Sequence, residues 1–342
     1  MIKLDRVGKA FPRGGGVAHD RRSPGAARER QASAAAEKTA VAEVSFDVAE
    51  GETLILLGTS GSGKTTTLRM INRLIEPTSG SILVDGRDVR SVAPETLRRG
   101  MGYVLQDSGL FPHYTVAENI AVVPRLLGWD AHRIAERTTT LLEKLHLPPD
   151  QYLNAYPSQL SGGQAQRVGL ARALAADQPI LLMDEPFGAL DPITRAHVRK
   201  DFRGLDEVRK KTVILVTHDV AEALELGDRI CLMHEGRVAQ LGTPSELLLQ
   251  PASDFVRSFF DGERLFLELG VISVSAVWGS LGGVAAGGGT PTLPASASLR
   301  QALEAALAAP NGRVSLGGGG APKQASAADL ISAYRIHKNS VQ

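Results

Sequence analysis

Residues 58–66 read GTSGSGKTT. They satisfy the spacing G-x-x-x-x-G-K-[ST] through Gly58, Gly63, Lys64 and Thr65. The apolar run TLILLG leads into them, and the helical pattern TTTLRMINRLI follows. Strand, glycine loop and helix in that order make a phosphate cradle, because backbone N–H groups gather at the helix start. Gly58, Gly61 and Gly63 let the chain curl so that the N–H groups around Thr59, Ser60 and Ser62 point inward. Lys64 is placed to reach the β- and γ-phosphates of a nucleoside triphosphate. The Thr65 hydroxyl can ligand Mg²⁺, and Thr66 completes the nucleotide-binding stretch.

Working outward, SILVDG, MGYVLQ, ILLMDEP and TVILVTHD are short apolar runs closed by polar residues. They predict buried parallel strands. Helical patterns alternate with them, which predicts an α/β fold. ILLMDEP sets Asp184 at a strand end, where it can hold a Mg²⁺ ion through water. Glu185 follows at once and is the natural general base for an attacking water. No Asn-Lys-x-Asp element is present, so a guanine-specific GTPase is excluded. A small-molecule kinase would have no use for a second Ser-Gly-Gly helix start, at LSGGQAQRVGLARAL over 160–174.

Residues 115–146 read as consecutive helices with no strand between them. They predict a helical subdomain over 107–160, inserted into the α/β core, with LSGGQ at its end. RICLMHEGRVAQLG predicts a β-hairpin around Glu235-Gly236. Residues 13–40 lack apolar periodicity and predict a disordered insertion. The net charge of +1 demands no nucleic acid, and the single cysteine, Cys231, excludes a disulfide framework. The N-terminus lacks a signal-peptide core. Leu269 to Thr290 is uncharged but too rich in Gly and Ser for a spanning helix.

Phosphate loop, LSGGQ, ILLMDEP, GALD and THD, in that order, resemble the nucleotide-binding subunit of an ATP-binding cassette (ABC) transporter. The resemblance covers residues 1–12 and 41–260. It implies a P-loop (RecA-like) core with N-terminal antiparallel β elements and an inserted helical subdomain, acting on ATP with Mg²⁺. It also implies a head-to-tail dimer with a second copy of the chain. There Ser161, Gly162, Gly163 and Gln164 would cap the γ-phosphate held by the partner's loop. Gln106 resembles the lid-loop glutamine that touches Mg²⁺ and the attacking water. His218 resembles the switch histidine on the γ-phosphate, and Asp191 the residue that communicates between the two sites. Phe11 stands where the family usually has a tyrosine stacked on adenine.

INRLIEPTSG, ENIAVVPRLLGW and MDEPFGALDPITR are similar to the ATPases of osmoprotectant importers for glycine betaine, choline, carnitine or related quaternary amines. That likeness implies a peripheral subunit on the cytoplasmic face of the membrane. Its partners would be a transmembrane permease and, indirectly, a substrate-binding protein, with no nucleic acid. An importer for another small solute, such as an amino acid, and a soluble non-transport cassette protein are the alternatives. After residue 260 the composition predicts a linker over 261–298 and a small appendage over 299–342. A degraded half-CBS module is the other reading of that appendage.

Overall fold

The computed structural model describes residues 1–12, 38–281, 284–285, 291–317 and 322–341. The disordered insertion expected at 13–40 lies outside them, except for Lys38 to Ala40, which open a strand. The chain forms two compact units: Met1–Asp219 with Cys231–Val238, and Val220–Ile230 with Ala239–Gln342.

The first unit holds the strands β1 (Ile2–Phe11), β2 (Lys38–Val48), β3 (Thr53–Gly58), β4 (Ser79–Val84), β5 (Arg87–Asp88), β6 (Met101–Val104), β7 (Ile180–Asp184) and β8 (Thr212–Thr217); the hairpin strands β9 (Arg229–His234) and β10 (Arg237–Gly242) fall partly in each unit. Two sheets result, ordered β2-β1-β4-β5 and β10-β9-β3-β8-β7-β6. In the second, β3 pairs β8, β8 pairs β7 and β7 pairs β6, all parallel. The core strands β7 and β8 are buried at every position, as their unbroken apolar runs require. SILVDG does not join them. β4 pairs β1 antiparallel, and only its Ile82 and Val84 are buried. A sheet with one covered face needs only alternate apolar residues, and four-residue runs do not separate the two cases.

Registers fix the site. Leu57 sits opposite Thr217, Asp184 opposite Val216, and Val104 opposite Met183. The carboxyl ends of four parallel strands therefore finish on one edge, the usual ligand edge of such a sheet.

Between β6 and β7 lie the helices Val116–Leu126, Ala131–Lys144 and Gly162–Leu174. Thr115 and Glu118 close a capping box at the first. Asn119 is fully buried and ties the preceding loop down: its Oδ1 accepts from Phe111 N at 2.8 Å and its Nδ2 reaches the carbonyls of Phe111, Tyr114 and Thr115.

Among the described residues of 261–298, folded elements of the second unit replace the expected linker. Helix Arg264–Val271 and a 3-10 segment, Val274–Ser280, occupy its first part. Ile272, Val274, Val277 and Leu281 enter a core with Leu299, Val314, Leu316 and Leu330. Average composition hid them, because a few apolar residues at turn spacing suffice when neighbouring elements supply the rest. The remaining strands are β11 (Val284–Ala285), β12 (Thr292–Pro294), β13 (Arg313–Gly317) and β14 (Lys323–Ser326), in a sheet ordered β11-β14-β13-β12. Helices Leu299–Ala308 and Ala327–Val341 complete it, so the described residues 299–317 and 322–341 are a folded part of this core. Among the described residues no helix is long and apolar enough to cross a membrane.

Candidate nucleotide site and signature helix

The phosphate loop turns at Gly58 (φ 149°) and Gly61 (φ 78°), then enters helix Lys64–Ile71. Thr59, Ser60 and Gly61 are exposed at its crest, Ser62 is buried, and Thr65 and Thr66 are half-buried in the first helical turn. The hairpin turn at Glu235-Gly236 braces the loop: Gly236 N donates to Ser62 O at 3.2 Å, and Ala42 N to Gly236 O at 2.7 Å. A Cβ on Gly63 would stand 2.6 Å from Ala40 O, so β2 also touches the loop. Phe11, paired with Lys38 at the end of β1, is 37% exposed. The Lys9 ammonium lies 5.1 Å from the ring centroid.

Lys64 is 6% exposed and donates to the carbonyls of Gly58 at 2.8 Å and Thr59 at 2.9 Å. Burial lowers its pKa, although the charges of Glu185 and Asp184 oppose that shift. Thr65 Oγ1 donates to Asp184 Oδ1 at 2.8 Å. Asp184 is 1% exposed, and burial raises its pKa despite the Thr65 bond and the nearby Arg69. Its Oδ2 accepts no hydrogen bond, with Arg69 Nη2 at 3.9 Å. An orphaned, buried carboxylate oxygen beside a hydroxyl fits a hydrated divalent cation. No cluster of three His, Cys, Asp or Glu side chains among the described residues could hold a metal unaided. Phosphate oxygens would have to complete the shell.

Glu185 follows β7 with φ 48°, uncommon for a residue with a side chain. Its Oε2 lies 3.2 Å from His218 Nδ1, and His218 itself is largely exposed. Gln106 stands two residues beyond β6, exposed on the same sheet edge. Asp191 opens helix Pro192–Gly204, its Oδ1 accepting from Thr194 N at 3.0 Å.

The LSGGQ stretch lies on a different element. Ser161 caps helix Gly162–Leu174: its Oγ accepts from Gln164 N at 3.3 Å, while Gln164 Oε1 accepts from Ser161 N at 2.8 Å. Gln164 Nε2 also donates to Tyr152 Oη at 2.9 Å. Ser161 and Gly162 are exposed, and nothing stands within 4 Å of a Cβ built on Gly162. This is an open helix N-terminus able to receive an anion.

One residue with no role in the sequence reading proves to touch Glu185. Gln166 is 3% exposed and donates to the Glu185 carbonyl at 3.2 Å. The only sequence signal was a polar residue on the buried side of the helix.

The ABC transporter family profile matches residues 41–188. The chain is 51% identical over 238 residues to the osmoprotectant import ATP-binding protein OsmV of Salmonella typhimurium, covering 70% of this chain and 62% of that protein. It is 50% identical over 230 residues to the glycine betaine uptake system ATP-binding protein YehX of Escherichia coli, covering 67% of this chain and 74% of that protein. A dimeric post-hydrolysis structure of the ATP-binding cassette MJ0796, bound to ADP and Pi, is similar at 31% identity and a TM-score of 0.59; the match covers 71% of this chain and 98% of that one. The chain spans about three-fifths of the length of OsmV and of the glycine betaine/carnitine/choline transport protein OpuCA of Bacillus subtilis, 62% and 63%. Half-identity across three-quarters of YehX, on the cassette fold, makes this chain a member of the ABC transporter family.

Proposed function

We propose that this chain binds MgATP, pairs with a second copy around two nucleotides, and hydrolyses them to drive a separate permease. The observation that carries the reading is the meeting of Lys64, Thr65, Asp184, Glu185 and His218 on one sheet edge. The Lys64 ammonium would exchange its carbonyl acceptors for β- and γ-phosphate oxygens. Thr65 and Asp184 would hold Mg²⁺, which when bound neutralises phosphate charge. The Glu185 carboxylate takes the proton of a water as its oxygen bonds to the γ-phosphorus. The bond from that phosphorus to the bridging oxygen breaks, leaving ADP and phosphate. His218, next to the carboxylate, contacts the transferred group, and Gln106 contacts the water. Phe11 offers a ring face for adenine. The open Ser161–Gly162 start, with Gly163 and Gln164, would close over the partner's γ-phosphate, and Asp191 would face the partner's site.

The transported solutes are quaternary amines such as glycine betaine, choline or carnitine, a class supported by half-identity to proteins named for their import. The subunit works as a peripheral protein on the cytoplasmic side of the membrane, with residues 107–160 as its helical subdomain. Uptake in cells carrying the chain with its permease and binding protein tests this. Parental cells should accumulate labelled betaine, choline or carnitine, and Glu185→Gln should abolish uptake while lowering ATP turnover about 10²–10⁴-fold. Uptake of an amino acid but of none of these amines would refute the solute class. Turnover in the Glu185→Gln protein close to the parental rate would refute the base.

A further inference from the structure

We propose that Gln166 is a positioning residue for Glu185, so that the seating of the signature helix decides whether the base is in place. The proposal rests on the reading of Glu185 as the general base. Gln166 lies on helix Gly162–Leu174, the helix that Ser161 caps. Its Nε2 donates to Glu185 O at 3.2 Å, and its Oε1 accepts from Ala189 N at 3.3 Å. One planar amide thus holds both ends of the segment from Glu185 to Ala189. The same helix also comes close to the next residue at its first turn, where a Cβ on Gly163 would stand 2.6 Å from Leu190 Cδ2.

Glu185 needs such restraint. Its φ of 48° is a conformation that the surrounding structure must impose. Two restraints come from nearby backbone: Glu185 N donates to Val216 O at 2.9 Å, and Gly188 N donates to Glu185 O at 3.1 Å. The third, Gln166, comes from the element whose exposed end is the anion-binding start. A small shift of that helix would carry the amide with it and strain or release both of its bonds. Gln164, two residues earlier, is engaged with Ser161 N and Tyr152 Oη and caps the helix. The two glutamines therefore do different jobs: one shapes the helix start, and the other connects it to the base.

The test uses the full chain with Gln166→Met, Gln166→Glu and Glu185→Gln side by side. Methionine fills a similar volume without the donor, and Gly188 still serves the Glu185 carbonyl. Gln166→Met should lower kcat about 10- to 100-fold, the scale of a misplaced reacting group. KM and nucleotide Kd should stay at parental values, the melting temperature should fall modestly with the two lost hydrogen bonds while the protein stays folded at the assay temperature, and an ATP-dependent dimer should accumulate. Gln166→Glu keeps an acceptor for Ala189 N, and a buried carboxyl that stays protonated can still donate to Glu185 O, so its kcat should lie between those of Gln166→Met and the parent. Parental turnover in Gln166→Met, while Glu185→Gln is inactive, overturns the proposal and leaves the base standing. A fall in kcat matched by weaker nucleotide binding, or by loss of folded protein at the assay temperature, assigns Gln166 to structure alone and overturns it as well. Turnover in Glu185→Gln at the parental rate removes the base, and the proposal falls with it.

Discussion

Gly58→Ala should damage the phosphate loop far more than Gly61→Ala, although both glycines have positive φ. At Gly58, φ is 149°. Imposing that angle on alanine costs about 1–3 kcal/mol. The new Cβ would also stand 2.2 Å from Met233 O and 2.9 Å from Ser62 Oγ. An ordinary carbon–oxygen contact is about 3.3 Å, so the hairpin carbonyl must retreat by roughly 1 Å. Overpacking of that kind costs about 1–3 kcal/mol, and the two terms together reach about 2–6 kcal/mol. At Gly61, φ is 78° and nothing lies within 4 Å of the added carbon. Only the left-handed backbone term remains, about 1–2 kcal/mol. Retreat of Met233 would also disturb the Gly236 N–H that holds Ser62 O, so nucleotide affinity should fall with stability at Gly58. Thermal unfolding and calorimetric ATP titration of the two purified variants measure both effects. Equal melting temperatures, or parental affinity in Gly58→Ala, would refute the reasoning.

Trans-acting signatures predict rescue. Lys64→Ala and Ser161→Arg should each be inactive alone, and mixing them should restore ATP turnover in heterodimers that keep one intact loop facing one intact signature; no rescue at any mixing ratio would argue against the shared site. In the second unit, Glu268 is fully buried between Arg264 Nε at 2.8 Å and Lys338 Nζ at 2.8 Å, with the Tyr334 hydroxyl donating to it. Burial acts to raise its pKa, but the bonds from Lys338, Tyr334 and Arg264 outweigh that and hold it below the ordinary glutamate value. A depressed carboxylate stabilises the fold above its unfolded value, about 4.3, and loses that contribution as pH falls through the folded value. Glu268→Gln should therefore lower stability near neutrality by about 1–3 kcal/mol and flatten the acid side of the melting-temperature profile. A variant with the parental profile would show that the cluster contributes nothing.

The phosphate loop and the strands that carry Asp184 and His218 were legible because each is a local pattern. Glycine spacing marks a curled backbone, and an unbroken apolar run ending in acids marks a buried strand edge. Where SILVDG would pair was not legible, since pairing depends on which strand arrives beside it. Gln166 looked like any helical glutamine. Its partners, Glu185 and Ala189, approach it only in three dimensions, and no spacing rule encodes that meeting. The core around Ile272, Val274 and Val277 was masked by neighbouring Gly and Ser, because composition averages over residues that the fold sorts individually. The φ of Glu185 was equally invisible: acids do not advertise left-handed backbone as glycines do.

The bracing of the phosphate loop has a consequence for synthesis. The loop occupies residues 58–66, yet it leans on Ala40 from an earlier strand and on Met233 and Gly236 from a hairpin made much later. A ribosome that has delivered the first half of the chain has delivered the correct glycines and lysine with one wall of their mould missing. Contacts of such sequence separation close late and slowly. The most recognisable stretch of the sequence thus waits on the latest-made residues of its own unit, and a nascent chain would have no finished nucleotide cradle until Gly236 had left the ribosome.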